Sequence, residues 1–261
     1  MGLFLRLDPV AFRVFGWPVQ WYGLIIGLGM VVAYQLLRYL GRKHDLSEEV
    51  LIDVMFWTVL FGLVGARAYY VAFRWDYYQQ HLDEIPAIWQ GGIAIYGGIL
   101  AGIVTLVYLC HRYRLDVRVI LDCAAPAVMI GQSIGRWGNF VNQEAYGGAT
   151  TLAFLQSLRL PKWLIDQMNV NGTYYHPTFL YESVWNIVGV VMLLSVRHFL
   201  KKGELAALYM IWYGIGRFWI EGMRTDSLYL GSLRVSQLVS LVFLIIGISY
   251  IAFQRLQKKE G

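Results

Sequence analysis

Seven mostly apolar stretches, near 19–39, 51–73, 91–109, 119–135, 177–199, 205–221 and 235–253, run through the chain. A helix needs about 20 such residues to cross a hydrocarbon core roughly 30 Å thick. Inside a bilayer no water satisfies backbone N–H and C=O groups, so spanning segments fold as helices. The pattern therefore predicts an all-α integral membrane protein, a bundle of about seven transmembrane helices. An N-terminal interfacial arm over 1–18 precedes it, and a small external cap over 148–175 separates the fourth and fifth spans. The rest divides into 19–147, spans one to four with a signature loop, and 176–261, spans five to seven with a cytoplasmic tail. With 57% hydrophobic and 15% charged residues among 261, the composition is far from that of a soluble domain.

The fourth stretch is the shortest and is interrupted by Asp122 and Pro126. The third opens on Gly91-Gly92-Ile93-Ala94-Ile95-Tyr96-Gly97-Gly98, which reads as irregular backbone, tolerated at membrane depth only where protein or water lines it. Lys and Arg accumulate in short cytoplasmic loops, and here they follow every odd-numbered span. Arg38, Arg42 and Lys43 follow the first, Arg112, Arg114 and Arg118 the third, Arg197, Lys201 and Lys202 the fifth, and Arg255, Lys258 and Lys259 the seventh. The N-terminus and the segment 135–147 then face outward and the C-terminus lies in the cytoplasm. This distribution accounts for the net charge of +5, so nucleic acid is not an expected partner. The first twenty residues are interrupted by Asp8, Pro9 and Arg13 and do not read as a cleavable signal peptide. Phe4, Phe12, Phe15 and Trp17 suit interfacial anchoring. Cys110 and Cys123 fall toward cytoplasmic ends and are assigned to packing.

Polar groups at membrane depth mark functional sites, because placing them there is costly. Gly135-Arg136-Trp137-Gly138-Asn139-Phe140-Val141-Asn142-Gln143-Glu144-Ala145-Tyr146-Gly147 places an arginine, two asparagines and a glutamate directly after an apolar run. Arg217, Glu221 and Arg224 stand at i, i+4 and i+7, so on a helix they share a face. Taken alone they read equally as a self-neutralising pair with an interfacial arginine. With Arg136 they offer guanidinium forks suited to a phosphate. Arg67, in the second span, adds a third fork or takes a structural partner such as Glu182. His176-Pro177-Thr178-Phe179-Leu180-Tyr181-Glu182 opens the fifth span; Pro177 explains a helix start but not the His and Glu. Trp21-Tyr22-Gly23 suits an aromatic belt, and Gly23/Gly27 and Gly98/Gly102 suit helix packing.

Gly135-Arg136-x-Gly138-Asn139-Phe140-x-Asn142-x-Glu144-x-x-Gly147 resembles the signature of the bacterial prolipoprotein diacylglyceryl transferases. His176-Pro177-Thr178-x-x-Tyr181-Glu182, Tyr213-Gly214-x-x-Arg217-Phe218-x-x-Glu221-x-x-Arg224, Trp21-Tyr22-Gly23 and Gly62-x-x-Gly65-Ala66-Arg67 are similar to that family's other motifs, in the same order. The resemblance implies a monomeric enzyme of the bacterial inner or plasma membrane with an outward-facing site. It implies transfer of the diacylglyceryl group of phosphatidylglycerol to the lipobox cysteine of a prolipoprotein signal peptide, with release of glycerol phosphate, as the first step of lipoprotein maturation. On this reading Arg136 and Arg217 bind the phosphate and stabilise the leaving group. Asn139 and Asn142 donate hydrogen bonds to the headgroup, Glu144 and Glu221 orient the arginines or the glycerol hydroxyls, and Tyr22 and Arg224 join the substrate set. Gly138 and Gly147 allow close backbone approach. The sequence has no metal-ligand spacing, and no cofactor is expected.

The thiol, with an ordinary pKa near 8.5, must lose a proton. Many family members carry histidine where this chain has Tyr96, and a phenol with a pKa near 10 is a poor base at neutral pH. Tyr96 either donates a hydrogen bond to substrate or is activated by an arginine; His176 and Glu144 are the alternatives. The competing class is a transporter or lipid-binding protein without chemistry. A single glycine-interrupted segment in an odd count of spans fits paired transporter repeats poorly.

Overall fold

A computed structural model describes residues 7–225, 229–231 and 233–257; Phe4, Lys258 and Lys259 lie outside them. In chain order the strands β1 (Val10–Val14) and β2 (Trp17–Gln20) precede α1 (Trp21–Gly41), α2 (Glu48–Phe73), α3 (Trp75–Tyr78), α4 (Ile95–Arg112) and α5 (Val117–Asn142). Then come β3 (Ala149–Thr150), α6 (Leu152–Ser157), α7 (Lys162–Gln167), β4 (Asn169–Val170) and β5 (Thr173–Tyr175). The chain continues through α8 (Thr178–Val196), α9 (Glu204–Glu221), β6 (Tyr229–Leu230), β7 (Leu233–Arg234) and α10 (Val235–Leu256). Among the described residues six helices, α1, α2, α4, α5, α8 and α10, are long and apolar enough to cross a membrane, so the chain is an all-α multi-pass membrane protein. The sixth expected span, α9, is a helix of 18 residues but carries Glu204, Arg217 and Glu221.

Several sequence expectations are corrected. The fourth span, expected over 119–135, is a helix of 26 residues that continues to Asn142, so most of the expected signature loop is helical. Pro126 lies inside it, fully buried, and does not stop it. Proline removes one backbone hydrogen bond, a loss that neighbouring helices in membrane proteins can absorb. The third span starts at Ile95 rather than 91: Gly91 and Gly92 have φ of +87° and +73°, outside the helical region. Within the arm, residues 10–20 form a hairpin whose two turn residues, Phe15 and Gly16, both have positive φ, as the tight turn of a twisted hairpin demands. Gly23 and Gly27 do not pack helices, since a Cβ built on either meets nothing within 4 Å.

The helices fall into two compact units. The first comprises the residues up to Leu36 and those from Ala124 onward. In it, Gly131, Gly135 and Gly138 form a stripe on α5 facing Ala33, Gly29, Ile26 and Tyr22 of α1. A Cβ on Gly138 would lie 2.7 Å from the Tyr22 ring, so glycine there lets the two helices close up. Buried Ser133 and Ser183 exchange hydroxyl-to-carbonyl bonds of 2.9 and 3.1 Å between α5 and α8. Trp185 and Trp212 stack at 4.4 Å, each indole donating to the other's carbonyl, in space left by Gly189 and Gly216. Residues 148–175 form a three-stranded sheet with α6 and α7, and Leu155, Leu164, Ile165 and Met168 pack on Phe140, Val141 and Phe179. Buried Gln167 donates to the carbonyls of Phe140 and Val141, satisfying the orphan C-terminus of α5.

The second unit, Leu37–Cys123, is built on α2 against α4. Gly65 and Gly97 bring the backbones together: a Cβ on Gly65 would lie 2.9 Å from the Gly97 carbonyl. Gly98 and Gly102 also face α2, at Gly62 and Thr58, which agrees with their packing assignment. Cys110 and Cys123 are free and buried.

Candidate active site

In the first unit, the C-terminal ends of α5 and α9 bring Arg136, Arg217 and Glu221 to the same place as Glu182, one turn into α8. Glu182 is buried, 6% exposed, and each of its oxygens takes a different arginine. Arg136 Nε lies 2.7 Å from Oε2, and Arg217 Nη1 donates to Oε1 at 2.7 Å. Arg217 Nη2 reaches Glu221 Oε2 at 2.7 Å, the i,i+4 pairing that the spacing of α9 provides. Arg224, just past the end of α9, lies 3.9 Å from the same oxygen. Arg234 at the entry to α10 donates to the main-chain carbonyls of Glu221 and Arg224.

Charge decides what such a cluster can hold. Three guanidiniums, those of Arg136, Arg217 and Arg234, stand with the two carboxylates of Glu182 and Glu221, leaving an excess of positive charge among these five residues in a poorly solvated setting. Arg136 is anchored through Nε alone, and its terminal Nη1 and Nη2 make no hydrogen bond among the described residues. That pair is the edge of a guanidinium that matches two oxygens of a phosphate. Glu182 holds both arginines at fixed geometry, so their donors are oriented before any ligand arrives.

The other expected site residues sit as follows. Asn139 donates to Glu144 Oε1 at 2.8 Å, closing the turn after α5, and Asn142 is the last helical residue. Gln143 and Ala145 there have positive φ. Buried Gly147 donates to the His176 carbonyl and pairs with Arg224, and a Cβ on it would lie 2.8 Å from His176 Cβ. It thus ties the signature to the α8 entry and the α9 exit. The His176 ring faces Tyr181 Oη at 3.2 Å and the edge of Phe154. Tyr22 lies over Gly138. Tyr96 belongs to the other unit, in the first turn of α4. Arg67 also belongs there and does not take Glu182; its partners are the backbone carbonyls of Glu84, Ile85, Gly91 and Gly92, at 2.7 to 2.9 Å.

Sequence reasoning underweighted Glu182, treating it as a partner of Arg67 when it is the bridge between Arg136 and Arg217. It missed Arg234 altogether. The available signal was its position, a basic residue before an odd-numbered span, against the sidedness of the four basic clusters.

The family described as "Prolipoprotein diacylglyceryl transferase" matches residues 9–253. The chain is 50% identical over 245 residues to the phosphatidylglycerol–prolipoprotein diacylglyceryl transferase of Lactobacillus acidophilus, covering 92% of this chain and 88% of the relative. It is 48% identical to the protein of that name from Lactobacillus delbrueckii subsp. bulgaricus, covering 98% and 94% of the two chains. It is 47% identical to that from Staphylococcus aureus, covering 98% and 93%.

Proposed function

The chain belongs to the prolipoprotein diacylglyceryl transferase family, and from that premise we propose that it transfers the diacylglyceryl group of phosphatidylglycerol to the lipobox cysteine of prolipoproteins. The observation that carries the mechanism is the convergence of Arg136 and Arg217 on the single carboxylate of Glu182.

In the reaction the cysteine sulfur attacks the glyceryl carbon that bears the phosphodiester oxygen. A C–S bond forms and the C–O bond breaks. The electron pair leaves on the oxygen of glycerol phosphate, whose charge grows through the transition state, and the thiol proton passes to a base. Arg136 and Arg217 bind the phosphate and stabilise the departing oxygen more than the starting ester, which lowers the barrier. Glu182 and Glu221 keep the two guanidiniums in register, and Arg224 adds positive charge beside Glu221. Asn139, held by Glu144, and Asn142 present amides to the glycerol headgroup, and Tyr22 and Gly147 shape the walls. His176 and Glu144, in the same unit as the arginines, are the alternative bases for thiol deprotonation.

We place the N-terminus and this site on the outer face of the bacterial cell membrane and the C-terminus in the cytoplasm, and assign the chain as a monomer. The basic clusters after odd-numbered spans support that orientation.

The test is turnover by purified protein in detergent, given phosphatidylglycerol and a lipobox peptide. A peptide heavier by one diacylglyceryl group and free glycerol phosphate in equal amount are expected. Arg136→Ala and Arg217→Ala should each lower the rate by at least about a hundredfold, the scale of removing one oxyanion donor, while both variants still insert. Lipid binding without glycerol phosphate release would favour a carrier or transporter and overturn the assignment.

A further inference from the structure

A second cationic site lies in the unit formed by Leu37–Cys123, built from residues the transfer mechanism does not use. A cavity of about 230 Å³ opens where α2 ends, lined by Arg67, Tyr70, Arg74, Tyr77, Tyr78 and Glu84 with the Gly91-Gly92 backbone. Arg67 is 7% exposed, and its four hydrogen-bond partners are neutral carbonyls. No carboxylate lies within ion-pairing distance of it among the described residues. Its guanidinium is also flanked by the rings of Tyr70 and Tyr78, 5.9 and 5.2 Å from their centroids. Carbonyls and aromatic faces solvate a cation but do not cancel its charge.

Arg74, the cap residue of α2, also lines this cavity and has no ion-pair partner among the described residues. One carboxylate also faces it, that of Glu84, which accepts the Tyr77 hydroxyl at 2.8 Å. Two cations against one carboxylate leave the cavity short of an anion. Gly92 is required for this geometry, because a Cβ there would lie 2.6 Å from Arg67 Nη1 and 2.7 Å from the Tyr70 ring.

We propose that this cavity binds the phosphate of an anionic phospholipid headgroup. Its size argues against a whole lipid, since pockets that enclose drug-sized ligands begin at about 300 Å³. Its surroundings argue for a lipid over a soluble anion. Phe73, Trp75, Leu82, Ile88 and Trp89 at this end of the unit are all large, apolar and exposed, the composition of a membrane–water boundary where headgroups lie. Acyl chains would run along that apolar rim while the phosphate takes the free edge of Arg74 and the remaining donor of Arg67. The site depends on the membrane setting but not on the transfer reaction.

Native mass spectrometry of the full chain in detergent tests this, with phosphatidylglycerol and phosphatidylcholine of matched acyl chains as probes. Wild type, Arg74→Glu and Arg74→Lys are titrated, each also in an Arg136→Ala/Arg217→Ala background so that lipid held by the arginine cluster is not counted. Arg67 is left intact because it clamps the 84–92 segment. Preferential retention of phosphatidylglycerol is expected, weakened at least about tenfold by Arg74→Glu and kept by Arg74→Lys. Equal phosphatidylglycerol retention by wild type and Arg74→Glu in both backgrounds would overturn the proposal. So would binding of inorganic phosphate alone as tightly as phosphatidylglycerol, which would make the cavity a soluble-anion site.

Discussion

Glu182 is the residue on which the arginine cluster turns. With its side chain 8% exposed and one oxygen on each arginine, it is the sort of buried ionic group whose removal strands its partners. Glu182→Ala leaves Arg136 without its anchor and Arg217 with only Glu221, a change that typically costs about 3–5 kcal/mol. A lowered melting temperature in detergent is the expected reading. Glu182→Gln preserves shape and one acceptor, so it should fold and still lose at least about tenfold in kcat, because the donors are no longer locked before the charge develops. Unchanged kcat in a folded Glu182→Gln enzyme would show that arginine placement does not depend on this carboxylate. At this scale the sequence was partly legible. Arg217 and Glu221 sit one helical turn apart, so their pairing follows from spacing alone. The partner of Arg136 lies 46 positions away on another helix, and no local periodicity reports such a contact.

Elements were more legible than contacts, since apolar runs long enough to span a bilayer allow little besides helices. What escaped was where they end. α5 runs past its apolar part because Gln167, 25 residues beyond Asn142, satisfies its last carbonyls, a tertiary cap that the signature itself does not contain. The glycines separate the same way. Gly97 and Gly23 look alike in sequence, yet a Cβ on Gly97 meets the Gly65 carbonyl at 2.5 Å and a Cβ on Gly23 meets nothing. Gly97→Ala should force α2 and α4 apart and cost about 1–3 kcal/mol, whereas Gly23→Ala should be neutral or stabilising, since alanine is the better helix former. Thermal unfolding of the two variants in one detergent decides between these outcomes. Gly147→Ala belongs with the first class, because its Cβ would press on His176 and Thr178 where the signature meets α8. Its loss should appear in activity as well as stability, and a fully active Gly147→Ala enzyme would separate that junction from the reaction.

For the molecule as a whole, α9 is the element on which topology depends. By composition it is the poorest candidate to enter a bilayer, with Glu204, Arg217 and Glu221 in 18 residues. None of the three is left unpaired. Glu204, fully buried, takes Arg255 at 2.6 Å and caps the Lys201 N–H, while Arg217 pairs with both Glu221 and Glu182. A charge that meets its counter-ion inside the protein avoids most of the cost of facing lipid, so α9 can cross in company with α8 and α10 although it would cross poorly alone. If it crosses, Thr225 lies outside and Gln257 inside; if it does not, Gln257 moves to the outer face and Arg255 loses its cytoplasmic side. Thr225→Cys and Gln257→Cys distinguish the two with a membrane-impermeant maleimide, the native Cys110 and Cys123 being buried. Labelling of Thr225→Cys in intact cells, and of Gln257→Cys only after lysis, is the expected pattern. External labelling of Gln257→Cys would mean that α9 stays on one side, and the outward placement of the arginine cluster would then have to be abandoned together with the odd number of spans.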